Sequence, residues 1–298
     1  MIELSRRDRV ALSAGHIRIG GLTLGLDTLR TLASRFDRAL SLGAIVRRLL
    51  GRIPARWLFA QIRLHDALPG ERRSDVALGC ITKAQDLDLV VALIESYRSC
   101  FTEAVIVVDG VPSDAATFRE KFARFVGVLP ITVEAHPLDH DFGGQRNRVQ
   151  ALARSGWLLH LDTDETPDPR LAANLGWIVA DAERHGDRAI GFPRINLVDD
   201  IPSAFYPDVQ YRLIRSDVRF TGKVHESPLP GLHWRQIHTS LGGAIRHRLS
   251  GERVKSRSKQ YEAIAAGAGK PGDEALLLHP WPTIAQDLLG AGRDATFR

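Results

Sequence analysis

The sequence predicts an α/β protein built on a mainly parallel sheet flanked by helices. Short apolar runs of strand length recur between residues 76 and 162. The stretches between them carry apolar residues at helical spacing. Two of the runs close on an aspartate, Asp109 and Asp162, and α/β sheets bind ligands at that carboxyl end.

In order, VALGCI (76–81) reads as a buried strand and QDLDLVVALIESYRS (85–99) as a helix. AVIVVD (104–109) reads as a strand, ATFREKFARFVG (116–127) as a helix and ITVEAH (131–136) as a strand. GQRNRVQALARSG (144–156) is a helix that stops near Gly156, and WLLHLD (157–162) is the next strand. Upstream, Leu29, Leu32, Phe36 and Leu40 form one helical stripe, and a second short helix begins after Gly43. ALPGERRSD (67–75) is polar and turn-rich and marks a boundary. Three parts follow: a basic helical extension over 1–70, a catalytic-type α/β domain over 75–230 and a helical tail over 231–298. The tail carries Arg246, His247, Arg248, Arg253, Lys255, Arg257 and Lys259. A solvated helix face accounts for most of them, and closure of a mobile basic segment over an anionic ligand is the alternative.

Cys80 and Cys100 are too few for a disulfide framework and read as free core thiols of a reducing, cytoplasmic protein. No apolar run approaches the ~20 residues of a membrane span, and MIELSRRDRV lacks a signal-peptide core. The net charge of +5 is unevenly placed. Residues 1–65 hold twelve arginines, no lysine and four acids, a net +8, so the remainder is net −3. Only Phe36, Trp57 and Phe59 are interleaved with those arginines, which argues against nucleic acid. A basic amphipathic segment suits an anionic membrane surface, and the same stripe equally suits packing on the catalytic domain.

The stretch LLHLDTDETPDP (158–169) places Asp162, Asp164 and Glu165 at the end of an apolar run. On an extended segment Asp162 and Asp164 face the same way. Two adjacent carboxylates repel unless a cation stands between them, and an oxygen pair suits Mg²⁺ or Mn²⁺. With neither a P-loop nor a G-x-G-x-x-G, a metal-bridged diphosphate is the economical design. A solvated acidic loop is the plain alternative.

The order VIVVDG, DFGGQRN, WLLHLDTDE and YPDVQYRLIRSDVRFTGKVHE (206–226) resembles glycosyltransferase family 2, the inverting GT-A fold. Within it, the order is similar to the bacterial lipopolysaccharide-core branch. The resemblance covers about residues 75–230. It implies a metal-dependent transferase moving a sugar from a nucleotide-sugar donor, UDP-linked by expectation, to a glycan or lipid-linked acceptor. Cell-surface polysaccharide synthesis on the inner face of the cytoplasmic membrane is the implied setting. Ile81, Thr82 and Lys83 would line the base, although Ala84 stands where many members have Asn. Asp109 would meet the uridine. Arg146 and Asn147 belong to the QRN motif, with Arg146 reaching the base or an acid of the cluster. Asp162, the first acid of the DXD motif, would meet ribose and metal water, and Asp164 would coordinate the metal. His225 would be a further metal or diphosphate contact and Glu226 the general base. Glu165 is expected to face solvent or cap a turn, Tyr206, Pro207 and Asp208 to belong to the acceptor side, and one of Arg212 and Arg215 to face the site. A GT-A-like scaffold without catalysis is the competing reading.

Overall fold

The computed structural model describes residues 16–19, 22–25, 62–63, 75–205, 208–223, 225–264 and 271–280. The helices expected over 27–42 and from 44 onward lie outside these residues, as do Tyr206 and Pro207. What is described of the N-terminal extension is extended. Strands β1 (His16–Ile19) and β2 (Leu22–Gly25) pair antiparallel, and β3 (Ile62–Arg63) joins the main sheet. The hairpin had a sequence signal, because Gly20-Gly21 separates two alternating runs.

The body alternates strand and helix. Strands β4 (Val76–Lys83), β5 (Glu103–Asp109), β6 (Ile131–Ala135) and β7 (Trp157–His160) are all parallel and lie in the order β6-β5-β4-β7. Helix α1 (Leu87–Tyr97) follows β4, α2 (Pro112–Phe122) follows β5 and α3 (Phe142–Leu152) follows β6. Strand order therefore reverses at β4, with β5 on one side and β7 on the other. Such a switch point leaves a crevice at the carboxyl ends of the strands.

Alternation of side chains along the strands divides the core. Val76, Leu78 and Cys80 pack in the larger cluster with Ile94 of α1 and Phe118 of α2, while Ala77, Val105 and Leu158 meet Val149 of α3 on the other face. Each such apolar side chain contributes about 1.5–3 kcal/mol on burial. Trp157 is core, as expected. Burial raises the Cys80 thiol far above its usual range, so it is an inert core group.

Beyond β7 the sheet becomes mixed. Short strand β8 (Glu165–Pro167) precedes α4 (Pro169–His185), whose N-cap Asp168 accepts from the Leu171 amide. Strand β9 (Ala189–Val198) turns back through β10 (Ile201–Pro202), and β11 (Asp208–Arg215) inserts antiparallel between β9 and β7. The expected helical tail is helical only in part. Strands β12 (Ile237–Ser240) and β13 (Ile245–Leu249) both run parallel to β9 before α5 (Gly251–Ile264) and α6 (Pro271–Leu278). The sheet thus continues past residue 230. The alternation in IRHRL, with Ile245, His247 and Leu249 buried, is that of a strand. Among the described residues no helix is long and apolar enough to cross a membrane.

Candidate active site

The carboxyl ends of β4, β5 and β7 open into a cavity of about 720 Å³, a size suited to a nucleotide-type ligand. Thr82, Lys83 and Asp109 line it, as do Arg146, Asp162, Asp164, His225 and Glu226. Every expected site residue except Asn147 is therefore brought to one wall system.

Asp109 accepts from the Leu138 amide at 2.9 Å and so braces the loop before α3. Leu138 and His140 of that loop also line the cavity. The loop ends at Asp141, which caps α3 by accepting from the Gly144 amide. Residue 143 must be glycine because a Cβ there would lie 2.6 Å from the Gly222 carbonyl oxygen. That close approach docks α3 on segment 221–227, and the Phe142 amide donates to the Lys223 carbonyl beside it. Asn147 serves the same contact. Its amide donates to the Phe220 carbonyl at 2.9 Å and its oxygen accepts from the Phe220 amide at 2.8 Å. It faces the protein backbone, not the cavity.

Strand β7 stops at His160, and residues 162–165 form a turn closed by the Glu165 amide on the Asp162 carbonyl. The acids consequently diverge instead of alternating along an extended strand. Asp162 takes Arg146 Nη2 on one oxygen and Arg212 Nη2 on the other, each at 2.8 Å. Asp164 faces Arg253 Nη2 at 2.9 Å and His247 Nε2 at 3.5 Å. Glu165, expected at the surface, is fully buried. It accepts from Arg212 at 2.7 Å and Arg194 at 2.8 Å, and Arg194 also grips Asp208. Asp208 is buried in that pair and also lines the cavity. Arg212 faces this interior while Arg215 is exposed, which realises their alternation on β11. Arg148 is a surface charge near Glu134.

The second half of the site hangs on Arg146, which is 1% exposed. Besides Asp162, it donates through Nε to Glu226 Oε1 at 2.7 Å. Glu226 Oε2 has no hydrogen-bond partner among the described residues and borders the cavity. The neighbouring His225 adopts a left-handed backbone, φ 53°, a strained state for a non-glycine residue of the kind that clusters at functional sites.

Burial opposes charge on Arg146, Arg194 and Arg212, but the facing acids outweigh it and hold all three protonated. Burial likewise opposes charge on Glu165 and Asp208, and the guanidiniums hold both carboxyls below the usual range. Asp164 is lowered too, where His247 and then Arg253 overcome its burial. Burial and Arg194 push His247 below its ordinary value despite Asp164. His160, under the Phe220 ring, is driven well down by burial and then by Arg146 and Arg212. Both histidines are neutral near pH 7.

Asp164 suits a hard divalent cation that takes one carboxylate from the protein and its other positions from phosphate and water, whereas each oxygen of Asp162 already faces a buried guanidinium. Asp162 and Asp164 border the same cavity, and Asp164 already holds a cationic side chain there. Among the described residues no three or more His, Cys, Asp or Glu form a closed metal cage.

No protein-family model and no curated protein matches the chain. Among solved structures it is similar to S. aureus TarS 1–349 in complex with UDP, with 12% identity and a TM-score of 0.37 over 68% of this chain and 69% of that one. The complex of the same protein with UDP-GlcNAc gives 12% identity and a TM-score of 0.37 over 68% and 70%. Overlap this low carries no conclusion about chemistry, which rests on the residues themselves.

Sequence reasoning passed over Arg194 and read His247 only as part of a basic helical tail. The signal for Arg194 was a charge inside the apolar run AIGFPRINLV, since a charge in a buried strand must be paired.

Proposed function

We propose that this protein is a glycosyltransferase that moves a sugar from a nucleoside diphosphate donor to a hydroxyl acceptor with inversion. The observation that carries this reading is one guanidinium, Arg146, joining Asp162 to Glu226 at the mouth of the parallel strands. It ties an acid of the donor end to a carboxylate that lines the cavity.

In this reading Thr82, Lys83 and Asp109 border the nucleotide half of the cavity. Asp164, with Asp162 and His225 lining the same cavity, would hold Mn²⁺ or Mg²⁺. When bound, that ion supplies charge stabilisation for the leaving diphosphate. Glu226 accepts the acceptor hydroxyl proton through Oε2 while Arg146 fixes Oε1. As that proton leaves, the acceptor oxygen bonds to the anomeric carbon and the bond from that carbon to the diphosphate breaks. The buried Arg194–Glu165–Arg212 lattice keeps the turn at 162–165 in place.

Membership of glycosyltransferase family 2, with a lipid-linked or glycan acceptor of cell-surface polysaccharide synthesis, is the finer form of the proposal. It is supported by the order of motifs along the chain. Attachment to an anionic inner-membrane surface through residues 1–65 is supported by their charge of +8. The test is a screen of UDP-, GDP-, dTDP- and CMP-sugars for nucleotide release with Mn²⁺ and with EDTA. Release from one class, dependent on the ion, is expected. A flat result across all four classes would favour a non-catalytic scaffold.

A further inference from the structure

Resting on the nucleotide-sugar reading, we propose that Arg253, which lines the cavity and pairs with Asp164, is a ligand of the donor's diphosphate. Several cationic side chains line the cavity, and most are immobile. Arg146, Arg194 and Arg212 are buried and each is held by two carboxylates. They have no freedom to follow a ligand. Arg253 differs. It rides in the first turn of α5, its side chain is 56% exposed, and its one ion-pair partner is Asp164, whose side chain is 11% exposed. Its helix is anchored independently, by Val254 in the core and by the Gly251 amide on Asp199. The guanidinium can therefore swing without moving its backbone.

Charge balance gives the swing a direction. Asp162, Glu165, Asp208 and Glu226 face three buried guanidiniums, and Asp164 faces Arg253. Arg253 reduces the deficit of positive charge without closing it. A divalent cation held by Asp164 would compete with Arg253 for that carboxylate and so free the guanidinium. A planar guanidinium matches phosphate oxygens bidentately, so a donor diphosphate in the cavity would take the freed side chain. Arg253 then moves a short distance from Asp164 to the diphosphate. The same residue would thus serve Asp164 and the diphosphate in turn.

The two roles have opposite signatures in binding, which makes them separable from activity. Mn²⁺ alone is titrated into the full chain by electron paramagnetic resonance, and UDP is titrated by calorimetry with Mn²⁺ present. Arg253→Ala should bind Mn²⁺ alone about five- to tenfold tighter, because a partly exposed ion pair no longer competes. It should bind UDP with Mn²⁺ about tenfold more weakly, because a phosphate contact is lost. Lys255→Ala, which removes an equal charge from the same helix, should change neither. Unchanged Mn²⁺ affinity in Arg253→Ala, or UDP affinity equal to that of Lys255→Ala, overturns the proposal while leaving the nucleotide-sugar reading intact. Failure of the unsubstituted protein to bind either probe removes that reading and this inference together.

Discussion

Arg146 Nε donates to Glu226 Oε1 at 2.7 Å across 80 residues of chain. That bond fixes one oxygen of Glu226 in a side chain that lines the cavity, and a general base must be held within reach of the substrate in this way. Glu226→Gln keeps the shape and the hydrogen bond but removes the base. Transfer should fall by about 10²–10⁴-fold, while nucleotide affinity measured by calorimetry stays within a few-fold. Substantial residual transfer would make Glu226 a support for the loop and no more.

Asn147 tests the division between binding and positioning. Its two hydrogen bonds hold Phe220 and through it segment 221–227. Asn147→Leu leaves the Phe220 amide and carbonyl unpaired, at about 1–3 kcal/mol for a buried group. Chemical denaturation should show that loss, and transfer should drop as Glu226 loses its placement. UDP affinity should hardly move. A large fall in UDP affinity with normal stability would instead restore Asn147 to the nucleotide.

The parallel half of the fold was legible because its strands are buried on both faces and so read as plain apolar runs. The expectation that Arg146 reaches either the base or an acid resolved to the acid, Asp162. Glu165 was not legible. Three acids in four residues look solvated, and only the partners on β9 and β11, Arg194 and Arg212, make burial of the third tolerable. Those partners come from 29 and 47 residues away. His247 was hidden for a related reason. A basic-looking run, RHRL, conceals an alternating strand with His247 facing inward, and local charge outweighed period in reading it as helix.

Glu165 should therefore behave as a structural residue. Glu165→Gln removes the charge that two buried guanidiniums share. Breaking a buried ion pair from one side costs about 3–5 kcal/mol. Glu134→Gln, in an exposed pair with Arg148, should cost less than about 1 kcal/mol. Urea unfolding of the two variants gives the comparison, and equal midpoints would refute the lattice as a source of stability.

The pH dependence of stability has a definite sign. His160 and His247 have folded values below their ordinary ones, so at intermediate pH the unfolded chain binds the extra proton. Stability is then full above about pH 6.5 and falls as pH drops below it. Asp164, Glu165 and Asp208 are also lowered and add a further loss below about pH 4. His160 has no hydrogen bond on either ring nitrogen. His160→Leu should flatten the decline between about pH 6.5 and 5 without removing the steeper loss at lower pH. Parallel stability curves for the two proteins would exclude His160 as a contributor.

The two acids of the DXD motif should separate by stability even though both border the cavity. Asp162 neutralises two buried guanidiniums, so Asp162→Asn strips charge from Arg146 and Arg212 together. It should lose about 3–5 kcal/mol, which would blur any reading of its binding defect. Asp164 pairs instead with the exposed Arg253 and a neutral His247. Asp164→Asn keeps the shape and releases a side chain that water can solvate, so its cost should be about 1 kcal/mol or less. It should nevertheless abolish the effect of Mn²⁺ on UDP binding, because a neutral amide oxygen is a poor ligand for a hard cation that already takes few from the protein. Calorimetry of UDP with Mn²⁺ and with EDTA reads the effect directly. Mn²⁺-enhanced UDP binding that survives in Asp164→Asn would remove this residue from the metal site.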